Sequence, residues 1–202
     1  MKHLFTMLLA LIAATASAQT FEVDGIYYNI LSEDDMTVEV IKGPDKYKGD
    51  IVIPAEVTYD GSTYSVTTIG TRAFYWCNDL KSISMPSVTT IGDYAFWICR
   101  ALASVSMPSV TTIGDHAFFD CSALTSVEMS SVTTIGSGAF GGCSALTSAE
   151  IPEVTTIGDR AFIGCDGLKS ISMPSVTTIG NYAFGGCSAL TSVSMPSVMT
   201  IG

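Results

Sequence analysis

Apolar and small residues recur with a fixed period of 22 residues from Ile69 to the end of the chain. No insertion interrupts the period. A constant spacing of this length is typical of stacked supersecondary units, each in contact mainly with its neighbours. We therefore predict a β-rich solenoid of 22-residue coils. The three clearest series are an isoleucine before glycine (Ile69, Ile91, Ile113, Ile135, Ile157, Ile179, Ile201), a phenylalanine (Phe74, Phe96, Phe118, Phe140, Phe162, Phe184) and a cysteine (Cys77, Cys99, Cys121, Cys143, Cys165, Cys187).

Each coil is predicted to contain a short parallel strand. The spacing of Leu80, Ile83 and Met85 places three apolar side chains on one face of an extended segment. Pro86 has no N–H for a ladder of hydrogen bonds, so the strand should end there. The chain should continue extended towards Ile91, which points inward.

Each coil is then predicted to bend and form a short helix. Gly92 allows a tight bend. Asp93 could cap a helix over residues 94–99 by accepting a backbone N–H. An alternative is a ladder of calcium ligands, but residues at the same position favour helix caps. These residues are Thr71, Asp115, Ser137, Asp159 and Asn181.

Residues 19–64 depart from the repeat and predict an N-terminal β-rich cap that includes the first strand of the array. Alternating apolar residues flank the Asp24-Gly25 turn and indicate a hairpin. A second hairpin is predicted at Asp60-Gly61, inside an insertion in the first coil. Residues 65–202 are then the solenoid itself, with about six 22-residue units.

Residues 1–18 have the composition of a secretory signal peptide. Leu4 to Ala14 is apolar apart from one threonine, and Ala16-Ser17-Ala18 provides small residues for cleavage after Ala18. The apolar run is too short to span a bilayer. The sequence thus predicts a protein that is secreted or displayed at the cell surface.

Composition and charge narrow the classes of function. The chain has 19 acidic and 9 basic residues and a formal net charge of −10, which disfavours binding to nucleic acid. Its hydrophobic content of 48% is too high for a disordered acidic tail. After the leader, no apolar segment is long enough for a transmembrane helix.

The repeat unit resembles the BspA-type leucine-rich repeat. The resemblance covers about residues 51–202 and rests on the core Ile-Gly-Asp-x-Ala-Phe-x-x-Cys, seen at 91–99. The unit departs from its own consensus at Ser130, Ala149 and Gly138. The resemblance implies a leucine-rich repeat array on a surface or secreted protein of Bacteroides-like bacteria. It also implies adhesion or binding, and it supplies no catalytic residues and no cofactor.

The six cysteines are predicted to form a ladder of buried thiols. All occupy the same place beside the repeated phenylalanine, where cysteine packs as a small apolar side chain. Disulfides between neighbouring coils are an alternative, but parallel stacking aligns the Cβ vectors and disfavours them. A metal cluster lacks the usual paired cysteine spacing.

Catalysis would need His116, the single histidine after the leader. Serine and aspartate are also present, but no Gly-x-Ser-x-Gly motif accompanies them. We interpret His116 as a surface residue. The repeat also lacks the grouped acids and bases expected of a polysaccharide-active β-helix enzyme.

Two surface features are candidates for binding. Tyr75, Trp76, Trp97 and Phe119 occupy the two places between the repeated phenylalanine and cysteine in the first three units. Large aromatic side chains gathered there could form a patch for a protein or a glycan. Alternatively, these rings pack on the N-terminal cap or on one another.

The second feature is the outward face of the strands. It carries mostly serine, with Glu128 and Glu150 side by side in neighbouring units. Stacked like charges destabilise a sheet unless something cationic binds. Two solvated glutamates at little energetic cost are the alternative.

The leading hypothesis is therefore an exported, non-enzymatic protein that binds an extracellular protein or glycan. A structural spacer within a larger surface protein is the alternative. The last unit stops at Gly202 without a cap, so end-to-end self-association is a further prediction.

Overall fold

The computed structural model describes residues 19–202, and the predicted leader lies outside them. No helix in the described range is long and apolar enough to cross a membrane. We number the coils 1 to 6 from Ile69, so they span 69–90, 91–112, 113–134, 135–156, 157–178 and 179–200. The strands are β1 Thr20–Val23, β2 Ile26–Ser32, β3 Thr37–Ile41, β4 Gly49–Val52, β5 Glu56–Tyr59, β6 Ser62–Ile69, β7 Leu80–Ser84, β8 Thr90–Ile91, β9 Ser104–Ser106, β10 Thr112–Ile113, β11 Ser126–Glu128, β12 Thr134–Ile135, β13 Ser148–Glu150, β14 Thr156–Ile157, β15 Ser170–Ser172, β16 Thr178–Ile179, β17 Ser192–Ser194 and β18 Thr200–Ile201.

Two sheets run along the stack, and their strands pair in parallel from coil to coil, so the predicted β-solenoid is confirmed. The first, which we call the serine sheet, has the order β17-β15-β13-β11-β9-β7-β4. The second contains β8 and the even-numbered strands after it, extended by β6, β3, β2 and β1. Between coils, each residue lies beside the one 22 positions later, as Ile91 beside Ile113. Like side chains therefore stack on like.

Both predicted hairpins are present. β1 and β2 pair antiparallel through the Asp24-Gly25 turn, and β5 and β6 pair antiparallel through Asp60-Gly61. β3 then pairs in parallel with β6, and its side chains Val38 and Val40 are fully buried. The N-terminal strands thus cover the apolar side of coil 1.

The predicted short helix over 94–99 is wrong, because every second backbone N–H in this segment leaves its own coil. The amide of Phe96 donates to the carbonyl of Ala117 at 2.7 Å, and that of Ile98 donates to Phe119 at 2.7 Å. Tyr94 and Ile98 also have left-handed φ angles of 57° and 58°. An α-helix tolerates neither feature, since it uses amides internally and keeps φ negative.

The predicted role of Asp93 as a helix cap is also wrong. Its Oδ1 accepts the backbone N–H of Asp115 in the next coil at 2.9 Å, and Oδ1 of Asp115 accepts that of Ser137 at 2.7 Å. Asp159 accepts the amide of Asn181 in the same way at 2.7 Å. These carboxylates therefore link one coil to the next.

Aromatic rings and thiols form the centre of the stack. Neighbouring rings of the repeated phenylalanine lie parallel, with centroids 4.9 Å apart for Phe96 and Phe118 and 5.2 Å apart for Phe118 and Phe140. The predicted ladder of free, buried thiols is confirmed in five coils, and Cys187 in coil 6 is half-buried. Each thiol from Cys99 onward donates to a phenylalanine carbonyl of the preceding coil, at 3.0 Å for Cys99 and Phe74.

Burial raises the pKa of these thiols and so makes the stability of the fold depend on alkaline pH. Desolvation raises the pKa of Cys77 to about 11 and that of Cys165 to about 12, from an ordinary value of 9.0. It also holds the pKa of Cys121 and Cys143 well above that value. Unfolded thiols release protons from about pH 9, whereas the folded ones keep theirs to higher pH.

We therefore expect the free energy of unfolding to fall as pH rises from about 9 to between 11 and 12. Urea unfolding followed by circular dichroism across this range measures the fall. A variant with both Cys121→Ala and Cys143→Ala should show a shallower decline. An unchanged slope in that variant would contradict a role for the buried thiols.

The last coil leaves apolar side chains exposed. Met195 is 41% exposed and Ile201 63%, whereas their equivalents Met173 and Ile179 are buried under the coil that follows. These side chains form an apolar surface at this end of the described stack. Self-association through it stays a prediction.

Candidate functional site

The four aromatic residues singled out in the sequence come together on one corner of the stack. Tyr75 and Trp97 lie in contact as stacked rings, with centroids 4.8 Å apart. Trp76 lies 6.3 Å from Trp97, and Phe119 lies 6.5 Å from it on the other side. Trp76 remains 45% exposed. The rings thus pack on one another and still form a surface.

Two further rings and a cation join them, which sequence reasoning missed. Tyr94 meets Trp97 edge-on at 6.2 Å and stacks on His116 at 5.2 Å. The Arg72 guanidinium lies 5.3 Å from the centroid of Tyr94. The sequence did contain a usable signal. Arg72, Tyr94 and His116 are spaced 22 residues apart, each three positions before an aromatic residue. We call the set Tyr75, Trp76, Tyr94, Trp97, His116 and Phe119 the aromatic patch.

The patch is built on left-handed backbone positions. Arg72, Trp76, Tyr94 and His116 have φ angles of 59°, 62°, 57° and 54°. Amides at these positions are held by the next coil: that of Trp76 donates to the carbonyl of Trp97 at 2.8 Å. A left-handed φ costs a non-glycine residue roughly 1–2 kcal/mol.

Later coils avoid part of this cost. Where coil 1 has Trp76, coils 4, 5 and 6 have glycine at φ angles of 73°, 68° and 77° (Gly142, Gly164, Gly186). Trp76 therefore occupies a strained position in coil 1, although glycine fits the same place in this fold.

Glycines of coil 4 make room for the last rings of the patch. A Cβ on Gly141 would lie 2.7 Å from two ring carbons of Phe119. A Cβ on Gly138 would lie 2.3 Å from Nδ1 of His116. Both rings therefore lean over the next coil, and the patch ends there. His116 accordingly serves as a packed aromatic ring.

Two basic side chains border the patch and contact its rings. Nζ of Lys46 lies 5.8 Å from the centroid of Tyr75 and donates a hydrogen bond to the Tyr75 carbonyl oxygen. The Arg72 guanidinium lies 6.0 Å from the same centroid. Within the described chain, the single ion pair joins Arg100 to Asp120 at 2.8 Å. Lys46 and Arg72 therefore hold positive charge beside the rings without a carboxylate partner.

The serine sheet forms the second candidate surface. Glu128 and Glu150 are exposed and lie directly opposite each other in β11 and β13, as predicted. A notch of about 400 Å³ opens beside them. Ser130 lines it at the place where neighbouring coils carry Pro108 and Pro152. The smaller serine side chain widens the gap, and the notch is bordered by two like charges.

The metal-binding side chains of the described residues are dispersed. Over residues 19–202, no three side chains of His, Cys, Asp or Glu are grouped to hold a metal ion. The acidic ladder at Asp93 and Asp115 instead satisfies backbone amides of the next coil. The arrangement of both surfaces suits contact with another molecule.

Known proteins are similar to this chain in sequence and fold. Residues 61–167 and 111–202 match the family described as the BspA type leucine rich repeat region, in six copies. No curated protein shows significant sequence similarity to the chain.

Crystal structures of several leucine-rich repeat proteins resemble this chain. A leucine rich cell surface protein from Faecalibacterium prausnitzii A2-165 is 31% identical, with a TM-score of 0.72 over 91% of this chain and 56% of that one. The T. pallidum leucine rich repeat protein is 29% identical, with a TM-score of 0.79 over 91% of this chain and 86% of that one. The pneumococcal vaccine antigen PcpA shares the fold at 17% identity, with a TM-score of 0.60 over 91% of this chain and 50% of that one.

The chain thus spans little more than half the length of the first of these proteins. The family matched by residues 61–202 and the stacked 22-residue coils lead to one assignment. This protein belongs to the BspA-type leucine-rich repeat family.

Proposed function

We propose that this protein is an exported or cell-surface binding protein without enzymatic activity, and that it uses the aromatic patch to hold an extracellular protein or glycan. The observation that carries the proposal is the exposed ring of Trp76, kept at a left-handed φ of 62° where later coils have glycine. Strained positions retained against an available alternative are characteristic of functional sites.

The environment of the patch supports this role. Trp, Tyr and Arg are the residues that most often dominate the binding energy of protein interfaces. Here Trp76, Tyr75 and Arg72 lie within one coil, and the amides of Arg72 and Trp76 donate to carbonyls of the next coil. A rigid array loses little conformational entropy on binding, which favours affinity. The description of a family relative as a cell surface protein is consistent with an exported location.

The chain itself supplies a variant that should remove binding and keep the fold. Tyr75→Gly with Trp76→Gly converts coil 1 to the sequence Phe-Gly-Gly-Cys, which coil 4 already has at 140–143. In a screen against immobilised matrix proteins and glycans, we expect this variant to bind about tenfold more weakly or worse. Biolayer interferometry measures the change, and circular dichroism checks the fold.

A second variant tests the other surface. Glu128→Gln with Glu150→Gln removes the paired charges of the serine sheet and should leave binding unchanged if the aromatic patch is the contact. Loss of binding in this variant alone would move the site to the notch beside Ser130. Equal binding by both variants and the parent protein would place the contact on another surface, and no binding by any of the three would favour a structural spacer.

A further inference from the structure

The electrostatics of the aromatic patch limit what it can hold. An aromatic ring is negative on its face and positive at its edge. Tyr75 and Trp97 cover each other's faces at 4.8 Å, and Tyr94 and His116 do the same at 5.2 Å. One face of each of these four rings is therefore closed to a sugar, and their edges remain for a ligand beside the exposed ring of Trp76.

Arg72 adds positive charge in a fixed place. Its guanidinium lies 6.0 Å from the ring centroid of Tyr75 and 5.3 Å from that of Tyr94, in contact with two coils at once. Arginine stacked on rings keeps N–H groups at its edge, which match a carboxylate in a bidentate pair. Nζ of Lys46 lies 5.8 Å from the centroid of Tyr75.

Among the described residues, no carboxylate forms an ion pair with Arg72 or Lys46. Asp93 and Asp115 accept backbone N–H groups of the following coils, and Asp120 pairs with Arg100. The chain as a whole carries a net charge of −10, so an acidic ligand is repelled from most of the surface. The patch is thus a local site of attraction on an acidic protein.

We propose that the ligand of the aromatic patch is an acidic segment of a protein partner, bound through carboxylates at Arg72 and Lys46 and through apolar contact with Trp76. This inference rests on the proposed function. A protein segment is favoured over an acidic polysaccharide because the faces that Tyr75 and Trp97, and Tyr94 and His116, turn to each other are closed to sugars. Trp, Tyr and Arg together are also typical of protein contacts.

A labelled copolymer of glutamate and tyrosine serves as the probe. We expect it to bind the purified protein, and to bind the double variant Arg72→Gln and Lys46→Gln at least about tenfold more weakly. The matched control, Arg160→Gln with Lys169→Gln, removes the same charge from coil 5, where Arg160 faces the single ring of Tyr182 at 5.8 Å. Binding by this control should equal that of the parent protein.

Several results would overturn the inference. These are no binding of the copolymer, equal weakening by both double variants, or binding of heparin through Arg72 and Lys46 while the copolymer stays unbound. If the Tyr75→Gly and Trp76→Gly variant still loses binding to matrix proteins in that case, the proposed function stands and only the acidic ligand is wrong.

Discussion

The Phe118→Ala variant is expected to lose about 3–5 kcal/mol of the free energy of unfolding, the usual range for removing a fully buried phenylalanine. Phe118 lies in the middle of the stack, with Phe96 at 4.9 Å on one side and Phe140 at 5.2 Å on the other. Its side chain has no exposed surface. Alanine would open a cavity between three coils, because each ring packs mainly on the rings next to it.

Phe184 provides the matched control in the same chain. It occupies the equivalent place in coil 6, is half-buried, and stacks on Phe162 alone at 5.5 Å. We expect Phe184→Ala to cost about 1–2 kcal/mol, because less apolar surface is lost. Urea unfolding followed by circular dichroism compares the two variants. Equal losses of unfolding free energy in the two variants would contradict a stabilising contribution from the second neighbouring ring of Phe118.

Gly158→Ala is expected to destabilise the protein by about 3 kcal/mol or more, at the upper end of the range for overpacking. A Cβ at this position would lie 2.6 Å from the carbonyl carbon of Gly136 and 2.6 Å from the amide nitrogen of Ser137. Both are backbone atoms of coil 4, so they cannot move aside as a flexible side chain would. Coils 4 and 5 would have to separate, and their inter-coil hydrogen bonds would weaken.

Gly164→Ala in the same coil is the control. Its φ of 68° is left-handed, but the nearest atoms to an added Cβ lie 3.8 Å away. The expected cost is the roughly 1–2 kcal/mol of a left-handed alanine. Ile98 and Asp120 already occupy this position in other coils, with a φ of 58° each. A Gly164→Ala cost equal to that of Gly158→Ala would contradict the close approach of neighbouring coils at Gly158.

The repeated glycines at the positions of Gly158 and Gly164 have different structural roles, which only the contacts between coils distinguish. At Gly158 the conserved spacing reflects a close approach of backbones, since every unit from Ile69 onward has glycine after isoleucine. At Gly164 the glycine relieves backbone strain and can be replaced. The first kind maintains the stack, whereas the second kind is replaced by Trp76 in coil 1.

Much of the fold follows from the sequence alone. The 22-residue period without insertion predicted the stacking of like on like, because a slip in register would place apolar side chains on the solvent side. Alternating residues and Asp-Gly turns predicted both hairpins. The juxtaposition of Tyr75, Trp76 and Trp97 also followed, since equal positions in neighbouring coils lie about one strand spacing apart.

The backbone between Gly92 and Cys99 could not be derived in this way. Local composition favoured a capped helix, yet the amides of Tyr94 and Phe96 donate to Asp115 and Ala117 in the next coil at 2.9 and 2.7 Å. The choice between an internal and an inter-coil acceptor depends on which carbonyl lies nearby, and that carbonyl is 21 residues away in sequence. The carboxylate of Asp93 changed its role for the same reason.

The sequence by itself thus determined the period, the register and the identity of the stacked core residues, because repetition restricts each side chain to the same environment in every coil. Only the tertiary structure decided the hydrogen-bond partners of the turns and the extent of the aromatic patch. Tyr94 and His116 join the patch and Arg72 borders it. The backbone of all three is left-handed, and they lie beside Trp97, Phe119 and Tyr75 in that order. Their place depends on contacts between coils, which no single repeat contains.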